Sequence, residues 1–241
     1  MGQIFIIIAV GKGKINSRDT NMRPGRTSRL DGGAVLCYDV KKGGIGMEQK
    51  IGCVIMASGM ARRFGSNKLL HEFRGAPIIT RILDTMEQAP LAARVVVTRH
   101  WEIKEICDQK GIPVILHDLP EQSDTVRLGV EHLLGVCPEM TGCMFAASDQ
   151  PCLTAESVAK LCRAFAVAPE NIWRLAWQGT VGNPVLFPAS TFEELLRLPV
   201  GKGGGAVVKK HPKLVRTVEV GDERELIDVD TPEILARLLE R

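Results

Sequence analysis

The feature that constrains this chain most is an apolar run ending in small residues. Residues 51–57 are apolar apart from Gly52, and Ser58 and Gly59 follow directly. A run of this length, stopped by small residues, reads as a buried parallel strand entering a tight turn. A basic loop comes next, holding Arg62, Arg63 and Lys68. Gly59 tolerates backbone angles that other residues resist, and it lets a ligand approach the main chain. Successive N–H groups in such a loop form an anion-binding hollow, to which Arg63 and Lys68 add full positive charges. That is the chemistry of a triphosphate cradle. It is neither of the two commonest ones, because both GxxxxGK[ST] and GxGxxG are missing.

Beyond this loop, strand and helix patterns alternate. Apolar runs at 94–98, 112–116, 141–147, 173–177, 184–187, 215–220 and 226–229 predict strands. Helical spacing predicts helices over 76–88, 102–110, about 123–136, 154–165, 192–197 and 206–210, with a last one opening at Thr231-Pro232-Glu233. Ser123 and Thr154 are the expected N-caps and Gly111 a C-cap. Residues 182–184 read as the turn between two strands. Such alternation implies an α/β fold with a mostly parallel sheet covered on both faces. Ligands of such sheets lie beyond the carboxyl ends of the strands, so residues that follow strands carry most interest.

With 241 residues the chain is long enough for one large domain with a substantial core. Its net charge of +3 is too small to argue for nucleic-acid binding, and no apolar run has the length of a membrane span. The seven cysteines form no CxxC pair, which points to free thiols in a reducing cytoplasm. The five histidines show no metal-ligand spacing, and surface or core roles are expected for them. Trp101, Trp173 and Trp177 are expected to anchor packing.

Residues 11–46 are rich in Gly, Arg, Lys and Asn and show no periodicity, which predicts irregular or disordered chain. Met47 stands just before the first core strand. The residues ahead of it, Lys41-Lys42-Gly43-Gly44-Ile45-Gly46, are what a purine-rich ribosome-binding site gives when translated in frame. Residues 1–46 are therefore read as a leader, disordered or a misassigned start, and residues 47–241 as the working domain.

Three further stretches carry chemistry. Asp149 follows the run at 141–147, where a buried strand would hold it rigidly enough to ligate a hard cation. Asp228 and Asp230 precede Thr231-Pro232, and on a strand they would share a side. Residues 121–129 bring Thr125 and Arg127 to the start of a helix. In Gly182-Asn183-Pro184, Asn183 offers both donors and acceptors. The glycine run at 201–205, with Lys202, reads as a solvated loop.

The turn after the first strand, followed by Arg63, Phe64, Gly65 and Lys68 in order, resembles the signature of nucleotidyltransferases with a Rossmann-like fold. Ser148-Asp149-Gln150-Pro151 resembles their G-D-x-P motif, with serine in place of glycine. The Asp228-Val229-Asp230-Thr231-Pro232 ending resembles their carboxy-terminal motif. Residues 121–129 resemble G-x-x-x-S-[LV]-R-x-G, with Thr125 for serine and Glu121 for the glycine. Gly182-Asn183-Pro184 resembles a turn of the molybdenum-cofactor branch. Together, residues 50–241 look like a molybdenum cofactor cytidylyltransferase.

The resemblance implies a three-layer αβα nucleotidyltransferase fold and a soluble cytoplasmic enzyme. It implies a nucleotide site at Ala57, Ser58, Gly59, Arg63, Lys68, Thr125 and Arg127. Catalytic roles fall to Lys68, Arg63 and Asp149, and Mg²⁺ to Asp149 and Asp230, with Asp228 as the alternative ligand. Gly182, Asn183 and Pro184 would meet the second substrate. The implied reaction moves CMP from CTP to the phosphate of molybdenum-bearing molybdopterin. A molybdenum hydroxylase or its maturation factor would receive the product, with no nucleic-acid or membrane partner. Relatives that attach guanine carry two glycines where Ala57-Ser58-Gly59 has one; the extra bulk favours a pyrimidine by about 1–3 kcal/mol. Alternatives of the same fold are a guanylyltransferase, a sugar- or alditol-phosphate cytidylyltransferase, or a silent carrier of the cofactor.

Overall fold

The apolar run becomes the middle of the sheet. The computed structural model describes residues 5–10, 28–30, 33–39, 49–59, 64 and 67–240; Arg62, Arg63, Gly65 and the rest of residues 1–46 lie outside them. The strands are β1 (Phe5–Val10), β2 (Ser28–Leu30), β3 (Gly33–Asp39), β4 (Ile51–Ala57), β5 (Glu72–Phe73), β6 (Ala76–Pro77), β7 (Ala93–Thr98), β8 (Val114–Leu116), β9 (Gly142–Ala147), β10 (Ile172–Trp177), β11 (Thr180–Pro188) and β12 (Val215–Glu219). The α-helices are α1 (Ile78–Gln88), α2 (Trp101–Lys110), α3 (Gln122–Val136), α4 (Ala155–Val167), α5 (Phe192–Leu196), α6 (Gly205–Lys210) and α7 (Pro232–Leu239).

The core of the large sheet runs in the order β12-β10-β11-β9-β4-β7-β8. β4 lies between β7 and β9 and is parallel to both. β11 is antiparallel to β9 and β10, and the other pairings within this core are parallel. Both faces of β4 are covered. Cys53, Ile55 and Ala57 pack in the cluster that includes α1 and α4, while Val54 packs with α3 residues on the other side. A strand covered on both faces reads as a continuous apolar run rather than an alternating one, which is why residues 51–57 stood out.

Beyond β12, the strands β1, β3 and β2 continue the sheet with antiparallel pairings. Residues 28–30 and 33–39, expected to be irregular, are thus strands.

Three local expectations need correction. Residues 226–229 are not a strand. A 3-10 turn, Glu223–Leu226, leads into an extended loop, in which Val229 donates its N–H to the Asp149 carbonyl at 2.9 Å. Residues 182–184 are not the hairpin turn; they lie within β11. The turn is Gln178-Gly179, both at positive φ (46° and 85°), the conformation that suits a two-residue hairpin. Ser123 does not cap α3. Glu121 does, in a reciprocal capping box with Asp124. Gly111 and Thr154 cap as expected: Gly111 sits at φ 66°, and Thr154 accepts from the Ser157 N–H.

Candidate active site

Parallel neighbours end at the same edge, so β4, β7, β8 and β9 release their following residues on one rim of the sheet. Ser58 and Gly59 leave β4 there, Arg99 leaves β7, His117 leaves β8 and Asp149 leaves β9. The loop carrying Asp228 and Asp230 is tied to that rim. Besides the Val229–Asp149 bond, Gln150 Nε2 donates to the Leu226 carbonyl at 3.3 Å. Buried Glu225 accepts from Thr154 N–H (3.1 Å), Thr154 Oγ1 (2.7 Å) and Gly221 N–H (3.1 Å). One carboxylate therefore fastens this loop to the start of α4, just after Asp149.

Lys68 opens a short 3-10 turn (Lys68–Leu70), capped by Asn67 through its side-chain oxygen. The Lys68 ammonium donates to Asp149 Oδ2 at 2.5 Å and to Asp230 Oδ1 at 2.9 Å. The Lys68 and Asp149 side chains are only 14% and 18% exposed. Burial works against the lysine's charge, but Asp149 and Asp230 outweigh it and hold its pKa above the ordinary value. Asp228 lies beside them. Burial, with the negative charges of Asp149 and Asp230, pushes its carboxyl up to about 6.

Of these groups, Asp149 and Asp228 line a cavity of about 610 Å³, the size of a small-molecule site. Ser58, Gly59, Gln122 and Thr125 line one part, and Asp149, Asp228 and Asn183 line another. A single hollow therefore joins the turn after β4 to the strand that carries Asn183.

The expected residues are distributed as follows. Ala57 is the fully buried last residue of β4. Ser58, Gly59, Thr125, Asn183 and Asp149 line the cavity. Gly182 and Pro184 flank Asn183 in β11, and the Gly182 carbonyl accepts from Arg174 at 3.4 Å. Lys68 and Asp230 join Asp149 through the ion pairs. Arg127 is held by Asp124 and Glu131 along its own helix and does not line the cavity. Arg63 lies outside the described residues.

Arg99, Gln122 and His117 belong to the same region and were not singled out from sequence. The readable signal for Arg99 and His117 was position alone, since each follows a strand at its carboxyl end. The glycine run is solvated at Gly201, Lys202 and Gly205, as expected, but packed at Gly203, where a Cβ would stand 2.6 Å from Gln122 Oε1. Trp173 is buried and donates to the Ala168 carbonyl, and Trp177 packs against the core, whereas Trp101 is 60% exposed.

Among the described residues no three His, Cys, Asp or Glu side chains form a ready metal cage. Two carboxylates converging on one cation nevertheless fit Mg²⁺, which takes one or two protein carboxylates and completes its shell with water and substrate phosphate. Among the described residues no helix is long and apolar enough to cross a membrane, and Cys53, Cys107, Cys137, Cys143, Cys152 and Cys162 are free thiols.

The family model of the MobA-like NTP transferase domain matches residues 53–215. A "Probable molybdenum cofactor guanylyltransferase" of Pyrococcus horikoshii is 34% identical over 70 residues, which cover 29% of this chain and 36% of that protein. The "Purine catabolism protein PucB" of Bacillus subtilis is 28% identical over 192 residues, covering 75% of this chain and 91% of that protein. The crystal structure of Rv0371c from Mycobacterium tuberculosis H37Rv superposes with a TM-score of 0.69 at 26% identity, covering 80% of this chain and all of that one (100%).

Proposed function

The chain belongs to the MobA-like NTP transferase domain family, and from that premise we propose that it transfers CMP from CTP to the terminal phosphate of molybdenum-bearing molybdopterin. The observation that carries this reading is the Lys68 ammonium, which bridges Asp149 and Asp230 at the rim of a cavity reaching from Ser58 to Asn183. Such a site sets a cation and two carboxylates beside a single hollow that reaches both the turn after β4 and β11.

In the proposed reaction, an oxygen of the acceptor phosphate attacks the α-phosphorus of CTP. A new P–O bond forms, the bond from the α-phosphorus to its bridging oxygen breaks, and pyrophosphate leaves with that electron pair. The nucleophile is already an anion, so no general base is required. N–H groups of the turn after β4, with Lys68 and Arg63, would hold the triphosphate and stabilise charge on the departing oxygens. Asp149 and Asp230 would hold Mg²⁺, whose charge offsets that of the reacting phosphates. Thr125 would approach the base or ribose, and Asn183 the pterin. The likeness to a protein named as a guanylyltransferase supports GTP as the second reading, against the bulk of Ala57 and Ser58.

The test is incubation with Mg²⁺, molybdenum-bearing molybdopterin and either CTP or GTP, followed by pyrophosphate assay and mass spectrometry. Molybdopterin cytosine dinucleotide is the expected product. Formation of the guanine dinucleotide alone would transfer the reading to GTP, and no turnover with any nucleotide would favour a carrier.

A further inference from the structure

His117 is tied to the cavity wall by contacts that fix which of its nitrogens carries the proton. Its backbone N–H donates to the Thr98 carbonyl at 3.0 Å. Its Nε2 lies 2.9 Å from Ser58 Oγ and 3.5 Å from Thr125 Oγ1, and both of those residues line the cavity. Ser58 Oγ also lies 3.1 Å from the Val97 carbonyl. A carbonyl can only accept, so the single hydroxyl proton of Ser58 belongs to that bond. Ser58 must then accept from His117, which places the ring proton on Nε2 and leaves Nδ1 bare. Nδ1 is indeed buried and has no partner. A doubly protonated ring would bury an unpaired N–H there. Burial and the nearby Arg99 charge keep the ring's pKa below its ordinary value, against the opposite pull of Asp124 and Asp118.

With its proton given to Val97 and one lone pair taken by His117, the Ser58 hydroxyl has only an acceptor left for a ligand. We propose that His117 is a positioning residue: by donating to one lone pair of Ser58, whose proton Val97 holds, it turns the remaining lone pair into the cavity, so that the site selects a nucleobase presenting an amino group over one presenting a carbonyl or a bare C–H there. This rests on the reading that the cavity holds a nucleoside triphosphate with its base near the turn after β4. Cytosine and guanine both carry such an amino group, whereas uracil and hypoxanthine lack it. A site that must satisfy a buried polar group discriminates more strongly than one sorting by bulk.

The experiment compares kcat and KM for CTP against UTP and for GTP against ITP, in the wild type, His117→Ala, His117→Gln and Ser58→Ala. The wild type should prefer the amino-bearing member of the pair it uses by about 10²-fold or more. His117→Ala should lose most of that preference, chiefly through KM. His117→Gln should regain much of it, because its amide N–H can still donate to Ser58. Ser58→Ala combined with His117→Ala should lose no more than either alone. ¹⁵N spectra of the histidine ring should show the Nε2–H tautomer. A folded His117→Ala variant with unchanged preference would overturn the proposal, and so would a Gln variant as poor as Ala or an Nδ1–H ring. Use of GTP instead of CTP would overturn the cytidylyl reading, and the GTP–ITP pair would then decide the role of His117.

Discussion

Lys68 and Asp149 are 81 residues apart in the chain, yet Nζ and Oδ2 meet at 2.5 Å. The parallel pairing of β4 and β9 makes this possible, since it delivers the turn after one strand and the acid after the other to a common rim. Asp230 completes the arrangement from a loop that belongs to neither strand. Chain topology therefore decides where the opposite charges gather, and the local sequence decides only which charges they are.

Asp149→Ala should lower kcat for pyrophosphate release by about 10²–10³-fold, the range found when one charge-stabilising group is removed. Lys68 keeps Asp230 as its partner, so no buried cation is left unpaired, and the melting temperature should move by only a few degrees. A variant that retains the wild-type rate would exclude Asp149 from the chemistry.

Asp228 gives the site a pH signature. Its carboxyl titrates near 6 in the folded chain and at the ordinary carboxylate value when unfolded. Between about pH 4 and 6 the folded chain holds a proton that the unfolded chain has lost. Stability should therefore fall as pH rises through that window, on the order of 1 kcal/mol once solvent screening is allowed for. Asp228→Asn should flatten the decline. A divalent cation competes with the same proton, so Mg²⁺ affinity should rise through pH 6. Urea midpoints and calorimetric Mg²⁺ titrations from pH 4.5 to 7.5 would show both trends, and a pH-independent Mg²⁺ affinity would contradict the second.

Glu225 links stability to catalysis. Glu225→Ala removes a buried acceptor of three hydrogen bonds and should cost about 2–4 kcal/mol, because the donors of Thr154 and Gly221 lose their partner. The loop bearing Asp228 and Asp230 would lose its tie to α4, so turnover should fall in the folded fraction as well. Glu225→Gln keeps an acceptor oxygen and should lose less of both. Equal losses for the two variants would show that charge, rather than anchoring, is what matters.

Most of the fold was legible because β4, β7 and β9 are buried on both faces and announce themselves as apolar runs. Asp149 was legible for the same reason, as an acid directly after such a run. The ending at 226–229 misled because Leu226, Ile227 and Val229 are apolar, and only the tertiary bonds of Val229 and Gln150 show that they line a loop. Gln178-Gly179 was missed as the hairpin because glutamine gives no turn signal, whereas Gly182-Asn183-Pro184 gives a strong one inside a strand. His117 was invisible for a different reason. Its significance lies in contacts with Ser58, which is 59 positions away, and no local pattern encodes them.

The segment 1–46 offers an independent test. Its strands join the sheet at the β12 edge through Ala9 opposite Thr217, far along the strand order from β4 and β9. A chain beginning at Met47 should therefore keep its nucleotide affinity and turnover within about twofold, since the described cavity lining includes none of these residues. A tenfold loss of either would show that this segment is part of the working molecule.

Gly129 closes the segment that also carries Thr125, and its reason is steric. A Cβ at position 129 would lie 2.5 Å from Val54 Cγ1 and 2.7 Å from Cγ2, so α3 rests directly on β4. In an exposed helix, glycine to alanine stabilises by about 1 kcal/mol. Here the added methyl must push α3 off the sheet, and overpacking of this kind costs about 1–3 kcal/mol. Gly129→Ala should therefore be destabilising, and it should raise KM for the nucleotide, because α3 carries Gln122 and Thr125 into the cavity wall. Val54→Ala makes room for the new methyl, so the double variant should recover part of both losses. If Gly129→Ala proves stabilising, or if Val54→Ala fails to relieve it, then α3 does not bear on β4 as described, and the placement of Thr125 would need another cause.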